Sequence, residues 1–157
     1  MKRKYLILFS LSGLVLCLDQ LTKFIVKTRL ELNQETVLIS GWVKLVYQQN
    51  NGFAFGLLKI APVSLQEIFF IAIPAFALIL IILIFIKLRD DQMTTSIALS
   101  TILGGATGNL IDRLQYGHVI DFLKVESAGT LNVADLSIMT GVVLMFIATL
   151  RQERTVS

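Results

Sequence analysis

The sequence predicts an α-helical integral membrane protein, with four transmembrane helices and a small extracytoplasmic β-sheet. Three observations carry this. Hydrophobic residues make up 55% of the 157 and charged residues only 16%, against roughly 25% charged in soluble proteins. The apolar residues gather into four stretches without a charge, at 5–18, 68–86, 92–111 and 136–150. Between the first two lies a long segment rich in β-branched and aromatic residues, more than a mere connector requires.

The first stretch follows Met1-Lys2-Arg3-Lys4 and so has the outline of a signal peptide. Leu16, however, stands before Cys17, where a lipid-modified signal carries a small residue, and the acidic Asp19 follows at once. It is read as an uncleaved helix over about 5–21. The other spans fall at about 68–87, 92–111 and 136–151, since crossing a hydrocarbon core of about 30 Å takes roughly 20 residues. Lys4 and Arg151 lengthen the two shorter helices, because their long stems reach back to the interface. Residues 1–157 form one membrane domain, with outer loops at about 22–67 and 112–135. Cys17 reads as a small buried residue, and a single cysteine excludes an internal disulfide or a multi-cysteine metal site.

Lys2, Arg3 and Lys4 place the N-terminus in the cytoplasm, and four spans return Arg151 and Arg154 to the same side, with Lys87 and Arg89 at the middle turn. The outer loops hold as many basic residues, but spread over longer segments. The net charge of +3 is thereby explained by helix flanks rather than by nucleic acid. In the first outer loop, residues 36–39 and 42–47 read as two strands joined at Ser40-Gly41. Asn50-Asn51-Gly52 is a further turn signal. A sheet lying on the membrane has to pair or cover its edges.

Polar side chains at membrane depth are costly unless paired or used, and here they cluster at the outer helix ends. Asp19 and Lys23 are four apart and share a helical face. They read equally as a surface ion pair or as part of a site. Asn109 and Arg113 are also four apart, with Asp112 between. Interhelical hydrogen bonding accounts for them as well as substrate contact does. Gly104, Gly105 and Gly108 read as a close-packing face. Asp121 and Asp135 stand in apolar surroundings, with Gly129 between them for a chain reversal. Two carboxyls brought within about 3 Å share a proton, one serving as base for water and the other as acid for a carbonyl oxygen. From spacing alone, two solvated loop acids explain them better. His118, the only histidine, has no nucleophile elbow to serve, and no zinc spacing occurs. A non-catalytic transporter or assembly factor remains open at this level.

At these residues the sequence closely resembles the bacterial lipoprotein signal peptidases, the type II signal peptidases, a family of membrane-embedded aspartic peptidases. The matching pieces run in family order: Asp19-Gln20-Leu21-Thr22-Lys23, Asn50-Asn51-Gly52-Phe53-Ala54-Phe55-Gly56, the run from Gly104 through Asn109 to Arg113, Val119-Ile120-Asp121-Phe122, and Asn132-Val133-Ala134-Asp135. The resemblance implies that Asp121 and Asp135 are the catalytic pair. It implies that Asp19, Lys23, Asn50, Gly52, Asn109, Arg113, Asn132 and Ala134 line or support the site, and that the extracytoplasmic sheet is a β-cradle. It also implies cleavage of prolipoproteins just before a cysteine already carrying diacylglycerol. No metal or cofactor is expected, and membrane lipids are the other partner. The implied setting is the bacterial inner membrane, multi-pass, as a monomer, with the site at the outer face. Gln49 and Phe53 depart from the common family pattern.

Overall fold

The computed structural model describes residues 2–51 and 63–156. Gly52 and Phe53 therefore lie outside the described residues. Four long helices carry a four-stranded sheet: α1 (Arg3–Arg29), β1 (Glu35–Ile39), β2 (Val43–Asn50), α2 (Val63–Lys87), α3 (Met93–Tyr116), β3 (Val119–Val125), β4 (Gly129–Leu131) and α4 (Val133–Val156). Helices of 24 to 27 residues extend about 36–40 Å at 1.5 Å per residue, enough to cross a bilayer.

Three of them, α1, α2 over 68–87 and α4 over 133–151, are long and apolar enough to do so by composition. The fourth, α3, packs against all of them. Its buried face is polar or small (Thr95, Ser96, Ser100, Thr101, Gly104, Gly105, Gly108, Asn109, Asp112). A helix shielded from lipid can afford such residues, and small ones let backbones approach. A methyl placed on Gly104 would stand 2.7 Å from the Ser12 carbonyl oxygen, and one on Gly105 would stand 2.5 Å from that of Ala134. The packing role expected of these glycines is met.

Helix α1 continues eight residues beyond its expected end at 21, reaching Arg29. Its charges do not stop it because they turn inward: the buried face is Lys4, Val15, Asp19, Lys23 and Val26, and the outer face is apolar. Cys17 lies on that exposed face beside Leu14, Leu18 and Leu21. The expectation that it is buried is corrected, because the interior stripe is taken by polar pairs. Lys4 is also not stretched toward an interface. It is 3% exposed, and its ammonium donates to the carbonyls of Phe85, Ile86 and Leu88 at 3.4, 3.0 and 2.6 Å. These carbonyls lie at and just past the end of α2, where a cation is also favoured by the helix dipole.

The sheet is antiparallel throughout, in the order β1-β2-β3-β4. The two strands expected in the first outer loop form β1 and β2 around Gly41 (φ 76°). The second outer loop, in which no strands were expected, contains β3 and β4, which reverse through Gly129 (φ 85°). Both turns need a left-handed conformation that glycine adopts without penalty.

Candidate active site

Two local devices bring Asp121 and Asp135 together. Asp135 is the third residue of α4. The Asn132 side-chain oxygen accepts from Asp135 N at 2.9 Å, while the Asp135 carboxylate accepts from Asn132 N at 3.2 Å. This reciprocal pair is a capping box built from Asn and Asp, and it sets the carboxylate at the positive end of α4. Asp121 sits in β3 opposite Gln48 of β2, 1% exposed. Asn132 joins the two, for its amide donates at 2.8 Å to Asp121 Oδ1. It also reaches Asn109 Oδ1 at 3.1 Å.

The remaining carboxylate oxygens are occupied as well. Asn50 Nδ2 donates to Asp121 Oδ2 at 2.8 Å, and Asn109 Nδ2 donates to Asp135 Oδ1 at 2.8 Å. Burial pushes the Asp121 carboxyl up to about 6, with the Asp135 charge adding to the rise against the hydrogen bonds from Asn50 and Asn132. A carboxyl surrounded by protein loses the water that stabilises its charge, and a like charge nearby acts in the same direction.

Behind the pair lies a buried ionic cluster. Lys23 Nζ contacts Asp19 Oδ2 and Asp112 Oδ2 at 2.8 Å each and donates to Asn109 Oδ1 at 3.0 Å, so its three protons are all used. Lys23 is 2% exposed, which settles the earlier alternative against a surface ion pair. Asp19 Oδ1 accepts from Ala134 N at 2.9 Å, satisfying an orphan donor in the first turn of α4. Gln20 closes the cluster by donating to Asp19 Oδ2 and Asp112 Oδ1 at 3.2 and 3.1 Å. Arg113 donates to Asn109 O at 2.9 Å and lies over the Phe70 ring at 4.7 Å. Its Nε is buried without an acceptor among the described residues.

Of the residues singled out from sequence, Asp19, Lys23, Asn50, Asn109, Arg113, Asp121, Asn132, Ala134 and Asp135 thus fall in one connected network. Gly52 is outside the described residues. Sequence reasoning passed over Asp112 and Gln20. Asp112 Oδ2 also accepts from Ile120 N at 3.1 Å, and so ties α3 to the strand residue before Asp121. The signal was present: Gly105, Gly108, Asn109 and Asp112 follow i, i+3, i+4, i+7 spacing, one helical face. His118 stays apart, half-buried beside Tyr116 with ring centroids 6.0 Å apart.

In chemical terms the arrangement gathers four carboxyl groups (Asp19, Asp112, Asp121, Asp135) and two cations (Lys23, Arg113). Lys23 is paired with Asp19 and Asp112, and the Arg113 guanidinium feels the charge of Asp135 first, then those of Asp112 and Asp121. No group of three or more metal-binding side chains occurs among the described residues.

Residues 11–151 match the family model described as signal peptidase (SPase) II. A lipoprotein signal peptidase of Geobacter metallireducens is 40% identical over 98% of this chain and 96% of its own length. That of Geobacter sulfurreducens is 42% identical over 88% of each. A solved structure described as a bacterial membrane enzyme superposes with a TM-score of 0.81 at 30% identity, covering 91% of this chain and 92% of its own.

Proposed function

The chain belongs to the signal peptidase II family, and we propose that Asp121 and Asp135 are the pair with which it hydrolyses its substrates. It is a membrane-embedded peptidase that removes signal peptides from prolipoproteins. One observation carries the assignment of the pair: both carboxyls hang on the same Asn132, one through its side-chain amide and the other through its backbone N–H.

Asp135 is the base. Among the described residues its oxygens accept only from neutral donors, Asn109 and the Asn132 backbone, at a helix N-terminus that favours negative charge. Asp121 is the acid, since burial raises its affinity for a proton. Water gives its proton to Asp135 as it attacks the scissile carbonyl, and Asp121 donates to the carbonyl oxygen. The resulting diol collapses with proton return to the leaving nitrogen. No covalent enzyme intermediate and no cofactor enters this sequence.

The substrate carries diacylglycerol on its lipobox cysteine and is cut just before it. Holding enzyme and substrate in one bilayer converts a three-dimensional encounter into a confined one, which supplies part of the proximity term. The enzyme works as a monomer in the bacterial inner membrane, surrounded by its lipids, with both termini cytoplasmic and the pair at the outer face. The basic termini and the Lys87–Arg89 turn support that orientation. The test uses the purified full chain with two synthetic lipobox peptides, identical except for the diacylglyceryl group. Cleavage before the cysteine of the lipidated peptide alone is expected. Equal cleavage of the unmodified peptide would remove the lipid from the recognition scheme.

A further inference from the structure

The β1–β2 hairpin ends in side chains that nothing among the described residues covers. Val37, Leu38, Ile39 and Trp42 are 58, 55, 58 and 69% exposed, although they lie on an element outside the spans. A cluster of this kind on an extramembrane element marks an interaction surface. The pairing register skips at Leu38, between Val37 and Ile39, so the strand carries apolar side chains on both of its faces here.

The strand pairing separates the rest of the sheet into unlike sides. Thr36, Leu45, Leu123 and Leu131 stand opposite one another and share one face. Glu35, Lys44 and Lys124 belong to the other, where Lys44 and Lys124 hold Glu35 at 2.9 and 2.6 Å. One side therefore holds the charged trio, with Val37 and Val46 beside it, and the other is mainly apolar.

We infer that the hairpin tip is an interfacial anchor, with Trp42, Leu38 and Ile39 seated in the leaflet on the sheet side of the bilayer. Three features favour lipid over a protein partner. First, exposed apolar side chains recur along the chain from the lipid-facing side of α1 (Leu21, Phe24, Ile25) through Leu32 to the tip, each of these 48–64% exposed, with polar residues between them. Second, β1 starts only six residues after α1 ends, which keeps the hairpin at interface height. Third, Lys27 and Arg29 occupy the last turn of α1, where phosphates would meet them, and tryptophan is the side chain enriched at that level. Seated in this way, the tip also covers an edge strand that would otherwise invite pairing.

Trp42 is the only tryptophan in the chain, so its fluorescence reports the tip directly. The full-length protein is reconstituted in phosphatidylcholine–phosphatidylglycerol vesicles. Quenching is measured with brominated phosphatidylcholines carrying bromine at graded depths, and with aqueous iodide. A blue-shifted emission is expected, quenched most by the shallowest bromines, little by iodide, and independent of the protein-to-lipid ratio. In Leu38→Asp, a charge at the tip should turn this around, with iodide quenching rising and bromine quenching falling. Iodide-accessible, bromine-insensitive emission in the unsubstituted protein would overturn the inference. Iodide protection without bromine quenching would do so too, because the cover would then be protein, and its loss on dilution would identify a second copy.

Discussion

Asp121 is held in a position that costs it charge, and its titration should report that cost. With the carboxyl pushed from 3.8 up to about 6, the folded protein binds a proton here that the unfolded chain has released. This contribution to stability is therefore complete below about pH 3.8 and is lost as pH rises through about 6, the reverse of an ion-paired acid. Carbon-13 labelling of aspartate carboxyls, with Asp121→Asn to assign the signal, should show this late titration. Asp135→Asn should bring the midpoint down only part of the way, because burial is the larger cause and the neighbouring charge the smaller. A midpoint in the ordinary carboxylate range would refute the assignment of the acid.

Lys23 poses the opposite problem, a cation that must stay charged among buried acids. Lys23→Met leaves Asp19 and Asp112 facing each other without it, and such a loss typically costs about 3–5 kcal/mol. Thermal unfolding in detergent should show a large fall in midpoint, partly recovered when Asp112→Asn is added. The sequence told that Asp19 and Lys23 share a face. It did not tell that the face is interior, because an i, i+4 pair looks the same on either side of a helix. Gly108, which leaves room for the Asp19 carboxylate against α3, and the partners on α3 and α4 decide the matter.

Among elements, the helices were legible and their ends were not. The uncharged stretches located all four, but α1 appeared to stop near Asp19 because a charge in a span normally marks its limit. The ionic cluster removes that penalty, and the helix continues to Arg29. Strand β3 was hidden for a related reason. Asp121 and Lys124 break the apolar run of 119–125, and only the capping box of α4 and the Asp112 bond to Ile120 N show why an acid belongs there. Asn132-Val133-Ala134-Asp135 was itself a readable helix start, a capping pattern with Asp in place of the usual Glu. The element scale also offers a packing test. Gly108→Ala puts a methyl into the Asp19 carboxylate, and overpacking of this kind costs about 1–3 kcal/mol. Gly13→Ala, at a position with open space, should cost far less in the same unfolding measurement. Equal losses would mean that α1 and α3 are not in close contact near the site.

For the whole molecule, the buried acids are concentrated at the sheet end of the bundle, while at the other end Lys4 ties α1 to the last carbonyls of α2. Lys4→Met should strip those acceptors and destabilise the bundle by about 1–3 kcal/mol. Activity per folded molecule should remain near that of the unsubstituted protein, since Lys4 is remote from the carboxyl pair. An enzyme that unfolds unchanged would show that the ammonium contributes nothing to holding α2. Family resemblance pointed to these residues as the proposed site before the fold was known. The fold adds the connections among them, above all the two-handed use of Asn132, which motif spacing does not encode.

The claim that two acids do the chemistry is tested most directly by cleavage of a diacylglyceryl lipobox peptide with purified unsubstituted, Asp121→Asn and Asp135→Asn proteins. Each variant is first confirmed as folded by its unfolding midpoint. Both variants should lose turnover by at least about 10²–10⁴-fold, the range for removing a general acid or base. Turnover near the unsubstituted rate in either folded variant would contradict the account.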